Sequence, residues 1–98
     1  MTKLLSSKEC EPIAREATRE ALVDYKTPEN VKAALVLGIY DREDAIEFEL
    51  YVPAKRPQDT IGIIRTVVDR RTGLATAKVL RDPSTVQVND VKPEDTHL

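Results

Sequence analysis

The chain has 98 residues, 15 basic and 17 acidic side chains, a formal charge of −2 and 41% apolar residues. That length fills one core and excludes two independent ones. Charges of both signs lie mixed along the chain, which excludes the basic footprint a phosphate backbone needs, so no nucleic-acid partner is expected.

Residues 1–7 hold Lys3 and only Leu4 and Leu5 as an apolar pair, far short of a cleaved signal peptide, and nothing later approaches a membrane span. With a single cysteine, Cys10, no internal disulfide can form, so a soluble cytoplasmic protein without membrane association is expected.

The first element is an amphipathic helix over about residues 7–26. Cys10, Ile13, Ala14, Ala17, Ala21, Leu22 and Tyr25 recur at three- and four-residue steps. Ser6 and Glu9 have the spacing of a capping box, while Pro12 removes a backbone donor and leaves the start open as far as residue 12. Thr27-Pro28 ends the helix. Alanines in the middle of the stripe require a close approach to whatever it covers.

Strands follow. Val31, Ala33, Leu35, Leu37 and Ile39 alternate through about 31–40, and Ile46, Phe48, Leu50 and Val52 alternate through 45–52. A four-residue loop at 41–44 sets Ile39 opposite Ile46, Leu37 opposite Phe48 and Leu35 opposite Leu50. Slipping by one residue would bring Glu47 and Glu49 into the core.

After a proline-containing connection, strands are predicted at about 60–69 and 74–81. The turn between them ends at Gly73, which supplies a positive φ. A four-residue loop there pairs Val68, Thr66 and Ile64 with Ala75, Ala77 and Val79. It also sets Arg65 opposite Lys78, which calls for a carboxylate nearby. Residues 82–98 form a polar tail with Val86, Val88 and Val91, expected to be a strap or a mobile end. The architecture is α+β: one N-terminal helix packed on a four-stranded antiparallel meander sheet, in a single domain.

The sheet face away from the helix carries Tyr40, Glu47, Glu49 and Tyr51. Two carboxylates flanked by tyrosines suit a basic protein partner, with the rings as anchors. The same carboxylates also suit a cross-strand charge lattice with Arg65 and Lys78. Val36, Ile63, Val67, Leu74 and Leu80 add apolar material to that face, to be covered by a partner, a second copy or the tail.

No catalytic residue is assigned, and neither a cofactor nor a metal is expected. Asp41, Glu43 and Asp44 crowd one loop without the glycine-turn spacing of a calcium site. His97 stands alone near the end of the chain, and Cys10 lies on the apolar stripe with no histidine near it in sequence.

Glu9-Cys10 and Ile13-Ala14 in the helix, with Val67-Val68-Asp69-Arg70-Arg71-Thr72-Gly73 in the late hairpin, resemble small bacterial immunity proteins and PepSY-type modules. The resemblance implies binding without catalysis: an immunity protein occludes a cognate toxin, and a PepSY-type module inhibits or regulates a partner. Absence of a signal favours the immunity reading, with Tyr40, Glu47, Glu49 and Tyr51 as contacts. A structural homodimer, its sheets meeting face to face or edge to edge, is the alternative, and a small α+β enzyme ranks below both.

Overall fold

The computed structural model describes residues 3–86. Helix α1 spans Ser7–Ala21 and begins with the expected capping box. The Ser6 N–H donates to Glu9 Oε1 at 2.8 Å, and the Glu9 N–H donates to Ser6 Oγ at 3.1 Å. Pro12 lies inside the helix without breaking it. Pro12 and Lys8, whose carbonyl loses its partner, both face solvent, so water can take the bond.

The helix stops at Ala21 rather than near residue 26. Leu22 donates to the carbonyls of Thr18 and Arg19, and Val23 and Tyr25 close three-residue turns. Val23 and Tyr25 are exposed, so further helical turns would have buried nothing.

The second correction concerns residues 31–35. A short helix, α2, occupies Glu29–Ala34 where a strand start was expected. Val31 is fully buried, and Ala34 and Leu35 pack on the same cluster. Those three residues have i, i+3, i+4 spacing and form one helical face, which keeps Val31 and Leu35 of the alternating set and leaves Ala33 exposed.

Strands β1 (Val36–Asp41), β2 (Ala45–Val52), β3 (Ile61–Asp69) and β4 (Ala75–Val79) form an antiparallel meander in the order β1-β2-β3-β4. In the first hairpin Ile39 pairs with Phe48 and Leu37 with Leu50, two residues away from the expected register. The turn lies one residue later, with the Arg42 N–H donating to Ala45 O at 2.9 Å. A two-residue shift preserves the faces, so the odd aliphatics of β1 still share a side with the even ones of β2.

The β3–β4 register is as expected: Val68 opposite Ala75, Thr66 opposite Ala77, Arg65 opposite Lys78. Gly73 has φ +79° and donates to Asp69 O at 2.8 Å.

Between β2 and β3 the ladder slips at Leu50/Tyr51, leaving Ile63 as the extra residue of a bulge. Leu80 and Arg81 both donate to its carbonyl. The bulge puts Ile63 into the core rather than on the outer face, in one cluster with Val31, Val52, Ile64 and Val86. Val86 therefore closes the end of the core and does not lie over the outer face. Val88, Val91 and His97 lie outside the described residues.

A second cluster, Cys10, Ala14, Ile46, Phe48 and Val68, joins α1 to the sheet. Thr66 is the buried polar residue beneath the helix, and its hydroxyl sits 2.6 Å from that of Thr18. Arg70 ties three segments together: Nε donates to Leu5 O at 2.7 Å, and Nη1 donates to the carbonyls of Arg42 and Glu43. Among the described residues no helix is long and apolar enough to cross a membrane.

Burial raises the Cys10 thiol pKa, so a disulfide-exchange reagent should react slowly in buffer and rapidly once urea unfolds the chain. The Ser6 N–H holds the Glu9 carboxyl below its ordinary value. A lowered carboxyl contributes stability at neutral pH that is lost as pH falls through the folded-state value. Urea midpoints of wild type and Glu9→Gln should therefore differ at pH 7 and converge in acid, while Ser6→Ala should lose about 1 kcal/mol at pH 7.

Candidate functional site

Helix α1 lies over β3 and β4 and only brushes β2. Small residues decide this placement: Ala75 packs on the cluster that holds Cys10 and Ala14, and Thr18 meets Thr66, so the backbones approach closely on that side. The helix-side surface of β1 is left open. Leu37 is 46% exposed and Ile39 52%.

A groove of about 280 Å³ runs between α1 and β1. Its floor is Leu37, Phe48, Leu50 and Ile64, and Ala14 and Thr18 form the wall. On the rim, Arg15 Nη2 lies 3.1 Å from Glu11 Oε2. Small-molecule sites are usually larger, about 300–1,000 Å³, and carry convergent polar groups. An apolar floor with a charged rim suits insertion of a protein side chain instead.

The four residues chosen from the sequence share the opposite face. Tyr40 sits across from Glu47, Glu49 across from Gly38 on one side and Arg65 on the other, and Tyr51 across from Val36. Their exposure differs. Tyr40 is open and its ring lies over Gly38, where an added Cβ would stand 3.0 Å from the phenol oxygen. Tyr51 and Glu49 are half-buried, and Glu49 leans over Gly62, where an added Cβ would stand 2.6 Å from its Oε2 and displace the carboxylate.

Glu47 is only 8% exposed. Its Oε1 is 3.0 Å from Arg42 Nη2 and its Oε2 is 3.1 Å from Arg65 Nε. Arg65 also reaches Glu49 Oε1 at 3.8 Å. The carboxylates thus form the cross-strand lattice, and they are the negative charge that lets Arg65 stand opposite Lys78. Charge reversal at Glu47 would put a cation among Arg42, Arg65 and Lys78, so this residue supports the fold as well as the surface.

Sequence reasoning missed the groove because it placed every helix-side aliphatic in the core. The available signal was a mismatch of widths, one alanine-rich helix against four strands. Asp41, Glu43 and Asp44 stay at the exposed hairpin tip, where Asp41 Oδ1 is 3.8 Å from Arg70 Nη1. Among the described residues no group of three or more His, Cys, Asp or Glu side chains is placed to hold a metal ion.

Removing the Glu47 charge should be felt in stability. Glu47→Gln keeps the shape but leaves Arg65 facing Lys78 with one carboxylate fewer. A loss of about 1–3 kcal/mol in urea unfolding is expected, shrinking in high salt because both arginines are largely exposed. Comparison of the chain with protein-family models, curated proteins and solved structures returns no match.

Proposed function

We propose that this is a small non-enzymatic protein-binding domain that acts by occlusion, most concretely an inhibitor or immunity protein holding a cognate toxin. The observation that carries the binding reading is the groove beside α1. Leu37 and Leu50 form an apolar strip beside α1, floored by the buried Phe48 and edged by the Glu11–Arg15 pair. An apolar centre with a charged rim is the anatomy of a protein interface. The narrower inhibitor reading is supported by the resemblance of the α1 and β3–β4 segments to immunity proteins.

The outer face offers a second contact region. Tyr40 is the open ring among the expected contacts, Glu49 and Tyr51 are half-buried on the same face, and Glu47 is held between Arg42 and Arg65. An interface anchored in the groove and reaching Tyr40 would wrap the β1 side of the sheet. In this reading the domain contributes shape and apolar surface, and no bond of the partner is made or broken.

The test is calorimetric titration against the toxin-like product of a neighbouring reading frame. One-to-one binding is expected, weakened at least about tenfold by Leu37→Asp, a loss of about 1.4 kcal/mol. Tyr40→Ala and Glu49→Lys should weaken it less. A folded Leu37→Asp variant that binds as wild type does would remove the groove from the interface.

A further inference from the structure

We propose that β1 is a self-pairing edge. Two copies join their β1 strands antiparallel about a two-fold axis at Gly38, so that two four-stranded sheets become one continuous sheet. The proposal rests on the backbone and exposed side chains of β1, and it shares only Leu37 with the groove.

The two edges of the sheet, β1 and β4, differ in how they are guarded. β4 carries Lys78 and lies beneath α1. β1, from Val36 to Asp41, has no lysine, arginine, proline or bulge, the devices that keep an edge from pairing with another chain.

The direction of its free backbone groups follows from the hairpin. Arg42 donates toward β2, to Ala45 O at 2.9 Å. Hydrogen-bonding groups alternate along an antiparallel strand, so Tyr40, Gly38 and Val36 also turn toward β2. Asp41, Ile39 and Leu37 therefore present their N–H and C=O groups to the open edge.

Pairing about Gly38 uses those outward groups and matches every exposed apolar side chain of the strand. Leu37 of one copy stands opposite Ile39 of the other on the groove side, and Val36 opposite Tyr40 on the outer side. All four are exposed in the single chain, at 46%, 52%, 40% and 48% respectively. Opposed residues of an antiparallel pair share a face, which limits the alternatives. An axis at Ile39 would set Leu37 against Asp41, and an axis at Leu37 would set Tyr40 against Ala34, inside the partner's α2.

The charges at the two ends of β1 agree with a second copy as occupant. Arg19 and Lys32 line a shallow depression at its start. Their carboxylate neighbours, Glu16 and Glu29, are loose at 3.6 and 3.8 Å, and both cations remain exposed. At the other end stands the exposed acidic tip of Asp41, Glu43 and Asp44. The antiparallel two-fold brings Arg19 and Lys32 of each copy toward Asp41, Glu43 and Asp44 of the other, with Glu16, Glu29 and Arg42 beside them.

Sedimentation equilibrium of the full chain tests this. Wild type should sediment at twice its 11.0 kDa chain mass. Ile39→Pro removes only an outward N–H from the ladder and should yield a folded monomer. Ile39→Lys should weaken association at least about tenfold, and Leu74→Lys, an exposed site away from β1, should leave the dimer intact. Hydrogen exchange of wild type gives a reading without substitution: the Leu37 and Ile39 amides should be protected in a concentration-dependent way. A wild type that stays monomeric up to about 1 mM, a dimer that survives Ile39→Pro, or fast exchange at both amides in the dimer would overturn the proposal. Ile39 does not line the groove whereas Leu37 does, so toxin binding by the Ile39→Pro monomer separates loss of the dimer from loss of the groove.

Discussion

A helix is narrower than the sheet it covers. Four strands set about 4.8 Å apart span about 14 Å between their outer axes before side chains are counted, whereas one helix with its side chains is about 10–12 Å across. A single helix therefore shields about two strands well and leaves the rest of its side of the sheet to solvent or to another molecule. In this chain α1 shields β3 and β4, and everything distinctive about the surface follows from the half it does not reach.

Its off-centre position has a local chemical cause. β3 and β4 offer Thr66, Ala75 and Ala77 beneath the helix, and α1 answers with Cys10, Ala14 and Thr18. Small side chains let the two layers approach, and the Thr18–Thr66 hydroxyl bond satisfies a threonine that would otherwise be buried without a partner. Over β2 the helix edge rests on the larger Phe48, which packs with Cys10 and Ala14. Arg70 fixes the same arrangement from the end: by accepting from Leu5 N through its carbonyl and donating to Leu5 O through Nε, it ties the chain entering α1 to the β3–β4 turn.

Much of the fold is legible in the residues, and the reasons are specific. The Ser6/Glu9 capping box, the Asp69-to-Gly73 turn and the β3–β4 register are set by interactions a few residues long, so their spacing in sequence is their spacing in space. The shared side of the odd residues in β1 and the even ones in β2 depends only on parity, and it survives a register shift of two. What is not legible depends on contacts from afar. Val31 and Leu35 fit one face of a strand and, with Ala34, one face of a helix, and packing against Val52 and Ile63 chooses the helix. The bulge that turns Ile63 inward has no local signature. Of the candidate site, the shared face of Tyr40, Glu47, Glu49 and Tyr51 could be read from alternation, but the neutralising grip of Arg42 on Glu47 depends on where the hairpin turns. The groove could be read only from comparing widths.

The features that stabilise the domain and those that leave it open to partners are thus the same features. Bulkier residues at Ala14 or Ala75 would lift the helix and let it drift toward the middle of the sheet, covering Leu37 at the expense of the close contact with Thr66. Small residues beneath α1 favour the opposite choice, a well-packed half and an open half. On the outer face the same logic holds in charge rather than in volume. Glu47 is paired with two arginines, one of them across the β2–β3 ladder, while Tyr40, one strand farther out, is exposed. Both faces become less restrained toward β1, so any partner that meets this domain finds its most accommodating surface on the side where the fold has already stopped making demands.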